Sequence, residues 1–115
     1  MSVYFKKIGL LGEQKALDYL KKNQFLILKK NFRNRFGEID IIAKKEKTIY
    51  FIEVKTRSNI NKGYPYQAVN QKKIDQIKYM ANFFLLKNKY KNYKLKIGVI
   101  SIVLNQEIKF YQLDQ

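Results

Sequence analysis

Two apolar runs in this chain are each broken by a single carboxylate, and this pair of interruptions restricts the fold more than any other feature. Ile39-Asp40-Ile41-Ile42 and Phe51-Ile52-Glu53-Val54 read as strands of a covered sheet, apart from their acids. A carboxylate buried without a partner is strongly unfavourable, so the fold must bring a cation or a compensating charge to both positions. Strand side chains alternate, which puts Glu53 and Lys55 on one face about 7 Å apart and Ile52 and Val54 on the other. If residues 44–48 close a hairpin around Glu46-Lys47, Asp40 falls directly opposite Glu53, with side chains about 5 Å apart. A slip of one residue would send the two acids to opposite faces. The loop lacks the Asn-Gly or Asp-Gly signal of a tight hairpin, so this register is an expectation that the structure must test.

The remaining elements follow from periodicity. From Ile8 to Lys22 the residues Leu10, Ala16, Leu17 and Leu20 recur at helical spacing, which predicts an amphipathic helix with that face on a core. Residues 25–32 (FLILKKNF), 38–43 (EIDIIA) and 48–55 (TIYFIEVK) are short runs rich in Ile, Phe, Val and Tyr and are read as three strands. Gly63-Tyr64-Pro65-Tyr66 reads as a connecting loop. Ile74, Ile77, Ala81 and Phe84 predict a second helix over 71–87. Residues 95–104 form a nearly continuous apolar run, as in a strand covered on both faces, and 108–113 can pair back through Asn105-Gln106-Glu107. The result is a single α/β domain spanning 1–115 with a mixed sheet.

Acidic residues number nine in all, and four of them lie between Glu38 and Glu53, so their placement is informative. Glu13 is a third anomaly, set between Leu10 and the Ala16, Leu17, Leu20 group in the middle of the expected apolar stripe. A helix packed by this face would carry Glu13 toward Asp40 and Glu53. Histidine and cysteine are absent, which excludes thiolate-ligated zinc, thiol nucleophiles, disulfides and imidazole bases. A metal held here is therefore a hard cation on oxygen ligands.

Three carboxylates and a lysine suit phosphodiester hydrolysis. Asp40 and Glu53 are the expected ligands of Mg²⁺, which polarises a phosphoryl oxygen and lowers the pKa of a bound water. Lys55 would orient or deprotonate that water and offset charge in the transition state, and Glu13 would hold a second ion or its water shell. The plainer reading pairs each acid with one of the many lysines. Those lysines matter in their own right: twenty-four Lys and Arg give a formal charge of +15, which makes nucleic acid the first partner to consider. A Lys/Asn/Ile-rich compositional bias is the alternative source of that charge.

Weaker signals concern the surroundings. Gly37 is expected at a turn with positive φ. Arg57, Lys72 and Lys73 are candidate phosphate contacts, set against the reading that they are solvated surface charges. Tyr64 and Tyr66 either stack on bases or pack the loop down. The apolar run in residues 1–11 is shorter than a signal peptide needs, and no stretch approaches the ~18 apolar residues of a membrane span, so a cytoplasmic protein with no membrane partner is expected.

Asp40, a gap of twelve residues and then Glu53-Val54-Lys55 resemble the PD-(D/E)xK nuclease superfamily. GEIDIIA at 37–43 and FIEVKTR at 51–57, followed by Gly63, Pro65, Ala68-Val69 and Lys72-Lys73, resemble the uncharacterised bacterial YraN-like family, which is similar to archaeal Holliday junction resolvases. The resemblance runs from Gly12 to about Ile102. It implies a restriction-endonuclease-like αβββαβ core with a mixed central sheet flanked by helices, Mg²⁺ or Mn²⁺ dependence and a role on branched or damaged DNA. It also implies a site at Glu13, Asp40, Glu53 and Lys55. Where family members commonly read Arg-Phe-Asp in the late strand, this chain has Lys96-Ile97-Gly98. If that aspartate supports the site, its loss puts activity in doubt; if it is structural, little changes.

The expected function is a structure-selective, metal-dependent DNA endonuclease of repair or recombination. The alternative is a non-catalytic nucleic-acid-binding protein that retains the nuclease fold, and RNA binding is a third reading resting on charge alone. A homodimer is expected by analogy with resolvases, with Phe110, Tyr111 and Leu113 as candidates either for its apolar face or for the core.

Overall fold

The computed structural model describes residues 3–106 and 108–113, so Met1, Ser2, Glu107, Asp114 and Gln115 lie outside the account that follows. The elements run α1 (Val3–Lys22), β1 (Leu26–Asn34), β2 (Gly37–Lys45), β3 (Thr48–Arg57), a short 3-10 helix (Pro65–Ala68), α2 (Gln71–Lys87), β4 (Lys94–Val103) and β5 (Lys109–Leu113). The five strands form one sheet in the order β1-β2-β3-β4-β5. Neighbours are antiparallel except β3 and β4, which are parallel because α2 carries the chain back across the sheet between them.

A helix covers each face. Ala16, Leu17 and Leu20 of α1 pack with Ile41, Ala43, Ile52, Ile100 and Ile102. On the other side Ile77, Met80, Ala81, Phe84 and Leu85 of α2 meet Ile42, Ile49, Phe51 and Ile97. The central strands therefore read as nearly unbroken apolar runs, since both of their faces are covered. The expected α/β class, the mixed sheet and its flanking helices are all present.

The helix expected from Ile8 starts earlier, at Val3, and its buried face is rotated from the one expected. Ile8, Gly12, Ala16, Leu17 and Leu20 face the sheet, while Leu10 is 62% exposed. The reason lies at Gly12, where a Cβ would overlap the side chain of Thr56 on β3. Lacking one, the helix seats closely against the sheet along its Gly12 edge rather than on Leu10. Glu13 consequently sits half-buried at the margin of the stripe, not in its middle.

Phe110, Tyr111 and Leu113 pack within the chain, and each stays half-buried on the edge strand β5. Phe110 packs edge-on against Tyr19 and Tyr50 and beside Phe25, Tyr111 lies 4.6 Å from Tyr66 between ring centroids, and Leu113 packs against the α2-side core. No helix among the described residues is long and apolar enough to cross a membrane.

Candidate active site

The β2–β3 hairpin closes with Lys45 paired to Thr48 around Glu46-Lys47, and Glu46 adopts a φ of 56°. This left-handed residue does the work of the glycine that the turn lacks. Pairing continues without a slip to Ile41–Ile52, a register that places Asp40 opposite Glu53 at the next step. At that point the two strands part: β2 stays paired with β1 as far as Gly37, and β3 with β4 as far as Arg57. Both acids thus sit in the mouth of a fork in the sheet.

At the fork the N–H of Val54 donates to Asp40 Oδ2 at 2.8 Å, so a side chain replaces a backbone partner where the ladder ends. Burial pushes Asp40 up to about 7, helped by the charge of Glu53, opposed by the Val54 hydrogen bond, and raised further by a hydrogen bond shared with Glu53 and by the charge of Glu38. Glu53 is only 5% exposed. Its Oε2 lies 3.2 Å from Lys73 Nζ and 3.9 Å from Lys55 Nζ.

In front of the fork, between α1 and β3, is an open cavity of about 490 Å³ lined by Glu13, Asp40 and Lys55 together with Phe5, Ile8 and Thr56. Glu53 stands behind it, toward α2. Glu13 Oε1 accepts a hydrogen bond of 3.1 Å from Asn31 Nδ2. Among the described residues no three acidic side chains are gathered tightly enough to form a metal cage as they stand. The structure brings Asp40, Glu53 and Lys55 together, and Glu13 reaches the same cavity from the side.

The three cations expected to touch phosphate differ in their surroundings. Arg57 Nη1 donates to the carbonyls of Lys62 (2.7 Å) and Gly63 (3.4 Å) and clamps the loop after β3. Lys72 is exposed on the first turn of α2. Lys73 turns inward, bonding the Glu38 carbonyl at 3.3 Å as well as Glu53, so it belongs to the acidic site rather than to an outer surface. Tyr66 packs on Tyr111, Tyr64 stacks on Tyr66, and the Tyr66 N–H donates to Ser101 Oγ at 3.2 Å, which pins the loop. Gly37 has the expected positive φ, at 147°.

Sequence reasoning missed Asn31 and Ser101 and misplaced Lys73. Ser101 is the one hydroxyl in the apolar run of β4, a signal of the same kind as Asp40 and Glu53. Asn31 adopts a φ of 52° within β1, a conformation in which Asn is enriched, but nothing local announces its bond to Glu13. Gly98 has a packing role of its own. A Cβ there would overlap Phe110, and Gly98 pairs with Ile52 of β3, one residue before Glu53. The glycine makes room for an aromatic ring beside the α1-side core, on the strand next to the fork.

A family model described as "Uncharacterised protein family UPF0102" matches residues 12–102, an interval holding Glu13, Asp40, Glu53, Lys55 and Lys73. The UPF0102 protein of Caldicellulosiruptor saccharolyticus is 41% identical over 100 residues, 87% of this chain and 85% of the relative. That of Persephonella marina is 43% identical over 97 residues, 84% of each. That of Fusobacterium nucleatum is 44% identical over 96 residues, 84% of this chain and 81% of the relative.

Proposed function

This chain belongs to the uncharacterised protein family UPF0102, and from the geometry of its fork we propose that it is a metal-dependent DNA endonuclease that hydrolyses phosphodiesters in branched or otherwise structured DNA. The observation that carries the reading is the placement of Asp40 beside Glu53 where β2 and β3 part, with Lys55 on the wall of an open cavity. Burial and the charge of Glu53 raise the cost of ionising Asp40, yet both acids occupy this fork in a chain with few acids to place.

The donor set fits a hard divalent cation such as Mg²⁺ or Mn²⁺, because the groups that converge are carboxylate oxygens and no nitrogen or sulfur ligand competes. Asp40 and Glu53 would hold the ion, with Glu13 within reach of its water shell. Such an ion supplies Lewis-acid polarisation of the phosphoryl oxygen and a more acidic water. Lys55, on the cavity wall, orients the attacking water and offsets charge that builds on the phosphate. The Val54 N–H fixes Asp40 by one oxygen and leaves the other directed to its neighbours. Branched DNA as the substrate rests on the resemblance to junction resolvases together with the +15 charge.

The test is cleavage of labelled single-stranded, duplex, flap and four-way-junction DNA with Mg²⁺ or Mn²⁺, with Asp40→Asn and Lys55→Ala prepared in parallel. Metal-dependent cutting that both substitutions abolish, while salt-dependent binding persists, is the expected result. Binding without cutting across the panel would instead make the fold a non-catalytic scaffold for nucleic acid.

A further inference from the structure

On the side of α2 turned away from the sheet, aromatic rings stand in solvent beside a cluster of cations. Tyr79 and Phe83, one helical turn apart, are 51% and 58% exposed, and Phe36 in the β1–β2 turn is 37% exposed. The Phe36 and Tyr79 ring centroids are 5.0 Å apart and those of Tyr79 and Phe83 6.0 Å, both edge to face, and the Arg35 guanidinium lies 4.9 Å from the Phe36 centroid. The side chain of Gln76 donates to the Phe36 carbonyl and ties the turn to the helix. Beyond Phe83 a cavity of about 390 Å³ opens, with Lys29, Arg33 and Lys87 on its rim.

We propose that this face is a binding track for single-stranded nucleic acid, separate from the fork. None of the core needs these rings, since α2 buries its Ile77, Met80, Ala81 and Phe84 face instead. Rings that meet edge to face do not close into a stack of their own, so ring surface remains for an incoming planar base. Charge decides between the two occupants an aromatic surface invites. Lys29, Arg33, Arg35 and Lys87 face this side; against these four cations stand two acids, Glu38, paired with Arg33 at 3.2 Å, and Asp75, one turn before Tyr79 and accepting from Gln71. A second copy would set these cations against their own kind in a chain of charge +15, whereas a polyanion relieves the repulsion. A duplex keeps its base faces stacked inside, so only an unpaired strand offers phosphates and free base faces together.

The test measures anisotropy of a labelled oligothymidylate and of a labelled duplex without divalent metal, so that cleavage plays no part and failure of the nuclease reading would not be mistaken for failure here. Tyr79→Leu/Phe83→Leu keeps the apolar bulk and removes the ring faces; it should weaken single-strand binding roughly tenfold or more and leave duplex binding within about twofold. Photocrosslinking of the unaltered protein to an iodouracil oligonucleotide should map to Tyr79, Phe83 or Phe36, a readout independent of how the variant folds. Unchanged single-strand affinity, an equal loss on both ligands, or crosslinks confined to other residues would overturn the proposal. A dimer in sedimentation that the Leu variant dissociates without loss of affinity would assign the face to a second copy.

Discussion

The N–H of Val54 and the carboxylate of Asp40 meet at 2.8 Å where β2 and β3 stop pairing, and this bond joins the architecture of the sheet to the chemistry of the site. An acid placed here terminates the ladder and satisfies a backbone donor that the fork would otherwise strand. Its remaining cost, burial and then the charge of Glu53, is what makes the fork responsive to protons.

Asp40→Asn should stabilise the fold at alkaline pH. The folded state holds the Asp40 proton up to about 7, against an ordinary aspartate value of 3.8, so it binds more protons than the unfolded chain between those values. The stability this contributes is fully present below the lower value and is lost as pH rises through the upper one. Asn keeps the acceptor for Val54 and has no proton to lose. Urea unfolding should find the variant about 1–3 kcal/mol more stable than the parent near pH 8, with the gap closing near pH 4; curves that stay parallel would refute the assignment.

Divalent metal should bind more tightly as pH rises toward 7, because Asp40 must lose its proton to serve as a ligand. Calorimetric titration with Mn²⁺ should show affinity falling by up to about tenfold for each pH unit below that value, with proton release on binding. Both Asp40→Asn and Glu53→Gln should remove the effect. A pH-independent affinity would place the ion elsewhere.

Lys73→Met should cost about 2–3 kcal/mol of stability, since it leaves Glu53 buried with Lys55 as its remaining ammonium neighbour at 3.9 Å. Adding Glu53→Gln should restore much of the loss. Denaturant unfolding of the two single variants and the double closes the cycle, and simple additivity would mean that the pair is not coupled.

Gly12→Ala should destabilise despite the gain of up to about 1 kcal/mol in helix propensity, because the new methyl meets Thr56. Overpacking at this contact should cost about 1–3 kcal/mol, and Thr56→Ala should relieve it. Thermal melts of the three variants give the comparison; a more stable single variant would show that α1 can shift freely over β3.

Much of this site was legible before any coordinates. Alternation in a strand and helical spacing are set by backbone geometry within a few residues, so the three strands and both helices could be read from the chain, whereas the Asp40–Glu53 register rested on an assumed two-residue turn at Glu46-Lys47 that the fold supplied. The tertiary structure decided what local periodicity leaves open. Leu10 lost its place in the core because the closest approach of α1 to β3 occurs at Gly12, which has no side chain to hold the helix away. Lys73 became a partner of Glu53, twenty positions earlier, because packing of α2 across the sheet chose which of its many cations turned inward. Gly98 proved to be the space beneath Phe110. Each of these depends on which surfaces meet when layers pack, and contacts between distant segments are selected by that packing rather than by the neighbours of a residue in the chain.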